Sequence, residues 1–142
     1  MKKTILIILL VIWMLTVYCF SNQKGEISGN TSGKVIKAIL NIFTKDISDE
    51  QVQKLQLPIR KLAHFTIYAI GGVLAIILLN QYNIPLIQKI IYSQLIISIY
   101  AVLDEFHQSF IPERTASFFD VLIDSAGALT AIVLVVALFI KK

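Results

Sequence analysis

Residues 104–124 read D-E-F-H-Q-S-F-I-P-E-R-T-A-S-F-F-D-V-L-I-D. The stretch holds five carboxylates, Asp104, Glu105, Glu113, Asp120 and Asp124, together with His107 and Arg114, and a predominantly apolar run lies on either side. Runs of that length and composition read as helices dissolved in lipid. Ionisable groups at their border are costly and need partners or a function. The fold follows from this alternation of apolar run, polar border and apolar run.

Working outward, residues 118–140 form one span, stopped by Lys141 and Lys142, and residues 86–104 form the span before it, with Lys89 near its entry able to snorkel to the interface. Asn80 to Pro85 is a tight connection. Residues 62–80 are apolar apart from His64, Thr66, Tyr68 and the closing Asn80, giving a further span. At the N-terminus, residues 4–20 carry no charge and follow two lysines. No small-x-small cleavage site follows them, and the run exceeds a usual signal core, so they read as a retained anchor. The expectation is an all-α integral membrane bundle of four transmembrane helices, built as a single domain over residues 1–142.

Residues 21–33 are rich in Ser, Gly, Asn and Lys and read as an exposed loop. Ser32 is placed to cap a short helix with Val35, Ile36, Ile39, Leu40 and Phe43 at helical spacing, lying in the interface or against the bundle. Ser48, Asp49, Glu50 and Gln51 form a capping-box pattern for a second short helix ending near Leu57. Pro58 then suits the first position of the helix that spans.

Composition agrees with this class. Of 142 residues, 56% are hydrophobic and 15% charged, against about 25% charged in ordinary soluble domains. The net charge of +4 is spread without a basic block, which argues against nucleic acid as partner and for a lipid bilayer. Cys19 is the single cysteine, which excludes an internal disulfide and a thiolate-rich metal cluster.

With four spans, the start of the second, the end of the third and the start of the fourth lie on one side whichever way the chain inserts. On the second span Lys61, His64 and Tyr68 share a face, continued by Gly71, Gly72 and Ala75. On the third, Asp104, His107 and Gln108 share a face, while Glu105 points about 100° away, toward Arg114 or solvent. On the fourth, Asp120 and Asp124 are continued by Gly127 and Ala131, small residues that let a neighbouring helix approach. Lys2, Lys3, Lys89, Lys141 and Lys142 argue for cytoplasmic termini and an external site, although the first loop carries lysines and arginines of its own.

This polar set supports several chemistries. Lys61, Arg60 or Arg114 neutralising the acids would give a network that only locks helices together, but the number of acids exceeds what locking needs. Asp104, His107, Asp120, Asp124 and His64 offer mixed oxygen and imidazole ligands for a metal, although no familiar local metal motif is present. His107 oriented by Asp104 suits acid–base hydrolysis. Arg60, Lys61 and Arg114 suit phosphate.

Three separated segments are also familiar together. R-K-L-A-H-F-x-x-Y at residues 60–68, D-E-F-H-Q-S-F-I-P-E-R at 104–114 and D-V-L-I-D-S-A-G at 120–127 resemble the VanZ-like family, as does Ser21-Asn22-Gln23 after the first span. Two positions depart: Ile67 stands where many members have Glu, and Glu113 where Gly is usual. The resemblance implies a small multi-pass protein of the bacterial plasma membrane; the family's named member is associated with low-level resistance to teicoplanin, a lipid-tailed glycopeptide, and many relatives lie outside resistance clusters. The residues that match its motifs are Lys61, His64, Asp104, Glu105, His107, Gln108, Arg114, Asp120 and Asp124.

Two classes of function result. One is a binding module for an envelope lipid, amphiphile or lipoglycopeptide at the outer leaflet, with Lys61, His64, Gln108, Arg114, Asp120 and Asp124 as ligand-binding residues. The other is an intramembrane hydrolase or transferase acting on a lipid-linked head group, with His107, Asp104 and Glu105 as catalytic candidates. A transporter ranks behind both, because the acids sit at one membrane face and not at the midplane.

Overall fold

The structure is a computed structural model that describes residues 2–23, 33–34, 36–38 and 49–140. Its long helices are α1 (Lys2–Ser21), α2 (Asp49–Leu79), α3 (Leu86–Gln108) and α4 (Phe118–Phe139), and there is no strand among the described residues. All four are long and apolar enough to cross a membrane. The shortest has 20 residues, about 30 Å at 1.5 Å per residue, which matches a hydrocarbon core.

The outer faces suit a lipid solvent. Ile5, Ile8, Ile12 and Leu15 run exposed along α1, and Ile91, Leu95, Ile99 and Phe106 along α3. In water this much exposed apolar surface would drive association. In lipid it is the ordinary outer surface of a bundle, and burial of apolar side chains no longer holds the helices together.

Close backbone contact takes over that role between α2 and α4. A Cβ added to Gly72 would lie 2.6 Å from the carbonyl oxygen of Ala128, and one added to Gly127 would collide with the backbone of Phe65. Ala75, Ala128 and Ala131 continue the same narrow seam as buried residues. Gln94 Nε2 then ties α3 to α4 by donating to Ser125 O at 3.0 Å and Ser98 Oγ at 2.9 Å.

Helix α1 is held by aromatic groups with polar ends. Trp13 lies over Gly71, donates Nε1 to Ile67 O at 2.8 Å, and meets the Tyr68 ring edge-on at 5.6 Å. Tyr100 Oη donates to Met14 O. An indole or phenol inside a bilayer needs such an acceptor, and here backbone carbonyls of neighbouring helices supply it.

The two ends of the bundle are distinct. At one end Lys3 lies 4.4 Å from the Tyr82 ring and Lys89 Nζ donates to Asn80 Oδ1 at 2.9 Å. At the other, Arg114 Nη2 donates to Phe20 O at 3.4 Å. The polar ends of α2, α3 and α4 therefore gather around the C-terminal end of α1.

One boundary differs from the sequence expectation. Residues 49–57 are not a separate short helix, and Pro58 does not begin the spanning one: a single helix runs through both. Proline in a helix loses one N–H bond and crowds the carbonyl of residue i−4. Here Lys54 and Pro58 are both exposed, so the released carbonyl lies at an aqueous position and the helix continues. The other expected short helix, around residues 32–43, falls largely outside the described residues. Gly33–Lys34 and Ile36–Ala38 are helical, Ile36 is fully buried, and Gly33 lies near Val52 and Gln56 of α2.

Gly127→Ala should push α4 away from Phe65 at a cost of about 2 kcal/mol, typical of overpacking. Thermal unfolding in detergent should show a midpoint several degrees lower, while the exposed change Leu129→Ala should move it little.

Candidate functional site

The site begins with Asp104 and Gln108, four residues apart and therefore on one face of α3. Asp104 Oδ2 accepts from Tyr68 Oη at 3.1 Å and from Gln108 Nε2 at 3.0 Å. Gln108 Oε1 in turn accepts from Arg114 Nη1 at 3.0 Å, and Arg114 reaches Phe20 O on α1. Tyr68, Asp104 and Gln108 are all buried. This chain of donors and acceptors joins α2, α3, the α3–α4 loop and α1.

A second group faces α4. Glu105 is buried, and its Oε2 accepts from the Ser117 N–H at 2.8 Å, at the first turn of α4. A carboxylate at a helix N-terminus is favoured by the unpaired N–H groups there. His64 Nδ1 lies 3.4 Å from Asp124 Oδ1, and Asp124 is wholly buried. One ligand atom each from His64, Glu105 and Asp124 lies within 4.8 Å of the others. Neither Asp124 oxygen nor His64 Nδ1 has a hydrogen-bond partner.

Glu105 thus departs from the expectation that it turns to Arg114 or solvent. A helix with neighbours on two sides can bury adjacent residues against different partners: Asp104 meets Tyr68 of α2, and Glu105 meets the start of α4. His107 does not hydrogen bond to Asp104. Its ring lies against Tyr18 of α1, with centroids 4.9 Å apart, and its Nε2 is buried without a partner. Asp120 and Lys61 stand outside the buried group and line a neighbouring cleft.

Two clefts flank the cluster. The first, about 250 Å³, has apolar walls from Val17, Phe20, Ala63 and Ile67. The second, about 290 Å³, is more polar and includes Lys61, Ser117 and Asp120. Arg60, His64 and Arg114 line both. Burial lowers the Arg114 pKa below its ordinary value and nearby Arg60 adds to that, while Asp104 and Glu105 act in the opposite sense. The guanidinium remains charged. Its Nε is buried and has no hydrogen-bond partner.

The loop that delivers Arg114 turns at Glu113, whose φ of 65° is the one positive value at a non-glycine among the described residues. This is the position where the resembling family usually has Gly.

The VanZ/LLP1 family model matches residues 6–140, nearly the whole chain. No curated protein and no solved structure matches.

Left-handed backbone costs an L-residue roughly 1–2 kcal/mol relative to glycine. Glu113→Gly should therefore unfold at a higher temperature than Glu113→Ala, which loses the same side chain but keeps the strain. Tyr68→Phe removes one of two donors to a buried carboxylate oxygen and should cost about 2 kcal/mol, measured as a lower midpoint in the same detergent assay.

Proposed function

Because the chain belongs to the VanZ/LLP1 family, we propose that it receives the anionic head group of a cell-envelope lipid or amphiphile at the outer leaflet of a bacterial plasma membrane. The observation that carries this reading is the pairing of an apolar-walled cleft with Arg60 and Arg114 in its lining. Head group and tail have opposite solvents, and the cleft offers both within one space. Arg114 Nε is a buried donor without a partner, a condition that costs about 1–3 kcal/mol and that a bound phosphate or carboxylate oxygen relieves. Guanidinium suits such oxygens because its donors match them two at a time.

The outward orientation rests on Lys2, Lys3 and Lys89 near the opposite end of the bundle, a basic end that favours the cytoplasm. Reduced susceptibility to lipoglycopeptides such as teicoplanin is the cellular effect associated with the family's named member, and we extend it to this chain. Engagement of envelope amphiphiles by the cleft is compatible with it.

A second reading is an intramembrane hydrolase or transferase acting on a lipid-linked head group. It is favoured by His64, which lines both clefts with Asp124 buried behind it, since an imidazole next to a carboxylate suits acid–base transfer. Head-group release from an envelope lipid extract by the purified protein would select this reading over simple binding.

Expression of the wild type in a susceptible Gram-positive host should raise tolerance to teicoplanin several-fold and leave vancomycin susceptibility unchanged. Arg114→Ala at equal membrane abundance should lose the protection. Equal protection by Arg114→Ala, or none from a well-inserted wild type, would refute the proposed role of the cleft.

A further inference from the structure

We propose that His64, Glu105 and Asp124 bind one divalent transition-metal ion, with Zn²⁺ as the best-fitting class. The site is contributed by three helices, α2, α3 and α4, and does not depend on the head-group reading.

Geometry is the first argument. Tetrahedral zinc holds imidazole nitrogen and carboxylate oxygen at about 2.0–2.2 Å, which sets neighbouring ligand atoms about 3.4 Å apart. The three ligand atoms lie within 4.8 Å of one another, so the widest pair has to close by up to about 1.4 Å, within reach of side-chain rotation, to form a coordination sphere.

Charge is the second. Glu105 and Asp124 are 4% and 0% exposed, and among the described residues no lysine or arginine is within ion-pairing distance of either. Two adjacent buried carboxylates without a cation repel each other and lose solvation. A divalent ion cancels both charges at once.

The third argument is the hydrogen bonding of the same groups. Buried polar atoms almost always have partners, yet His64 Nδ1, Asp124 Oδ1 and Asp124 Oδ2 have no hydrogen-bond partner. His64 Nδ1 and Asp124 Oδ1 approach to 3.4 Å, within ion-pair distance but outside hydrogen-bond geometry, so the contact leaves the carboxylate open to a further ligand. Unlike these atoms, Glu105 Oε2 accepts the Ser117 N–H, the kind of outer contact that orients a ligating carboxylate.

The donor set selects the class of ion. One imidazole with two carboxylates suits zinc and its neighbours better than the all-oxygen coordination of calcium or magnesium. Three protein ligands leave a coordination position for water or ligand. The His64 side chain is 24% exposed and lines both clefts, which gives the ion a way in.

The test uses the full chain purified in detergent, stripped with a chelator and titrated separately with Zn²⁺, Mn²⁺ and Mg²⁺ by calorimetry and thermal unfolding. One Zn²⁺ or Mn²⁺ per chain should bind and raise the unfolding midpoint by several degrees. Glu105→Gln and Asp124→Asn should each weaken binding at least tenfold, while Glu50→Gln, at an exposed position paired with Lys54, should not. Metal-free Asp124→Asn should be at least as stable as metal-free wild type, because it replaces a buried carboxylate that lacks a hydrogen-bond partner with a neutral isostere. A His64–Asp124 pair that only braces the helices requires the opposite. If Asp124→Asn does not yield a monodisperse protein, His64→Gln and Glu105→Gln carry the same affinity readout. Absence of stoichiometric Zn²⁺ or Mn²⁺, preference for Mg²⁺, or undiminished affinity in Glu105→Gln would overturn the assignment.

Discussion

Everything at the polar end depends on how closely the backbones of α2 and α4 approach. Gly127 sits against Phe65, and Phe65 is the residue after His64; Asp124 is three residues before Gly127, about one turn away. A side chain at position 127 would hold the helices apart and with them His64 and Asp124. The contact is made in a medium where apolar side chains gain little by meeting one another. Dispersion between closely packed backbones and a few buried hydrogen bonds must supply the cohesion, and small residues are what permit the approach.

From that seam the other helices take their places. α3 contributes adjacent acids to different neighbours, Asp104 toward Tyr68 and Glu105 toward the N-terminus of α4. α1 closes the remaining side through Trp13 and the Tyr100 contact to Met14, both using backbone carbonyls as acceptors. The polar network then divides into two parts with different character. Asp104, Tyr68, Gln108 and Arg114 largely satisfy one another, as a structural network inside a bilayer must. His64, Glu105 and Asp124 do not, and Arg114 keeps one buried donor without a partner. The surplus of polar capacity lies beside the clefts, where a ligand can reach it.

The spans were legible because twenty or so apolar residues in a row have few other uses. The small-residue stripe through Gly71, Gly72 and Ala75, and its counterpart at Gly127 and Ala131, was legible for a related reason: glycine inside a helix is costly unless something needs the space. Pro58 misled because proline marks helix starts statistically, whereas an exposed turn tolerates it inside a helix. Glu105 misled because a helical wheel gives the angle between two residues but not the number of neighbouring helices. His107 shares the Asp104 face by spacing, yet the end of α1 passes there and Tyr18 lies against its ring. Glu113 was visible as a departure from the family pattern, but its left-handed backbone needed coordinates.

By itself, the sequence determined the membrane class, the approximate spans and the side of the bundle on which the polar groups collect. Hydropathy and chain length are local quantities, and parity follows from counting. Tertiary structure decided which acids pair and which stay open: Asp104 with Tyr68 and Gln108, Glu105 with Asp124 and His64. The physical reason is that hydrogen bonding and metal-scale proximity are decided within a few ångströms. Such distances are set by helix contacts between residues tens of positions apart, and spacing along a single helix does not contain them.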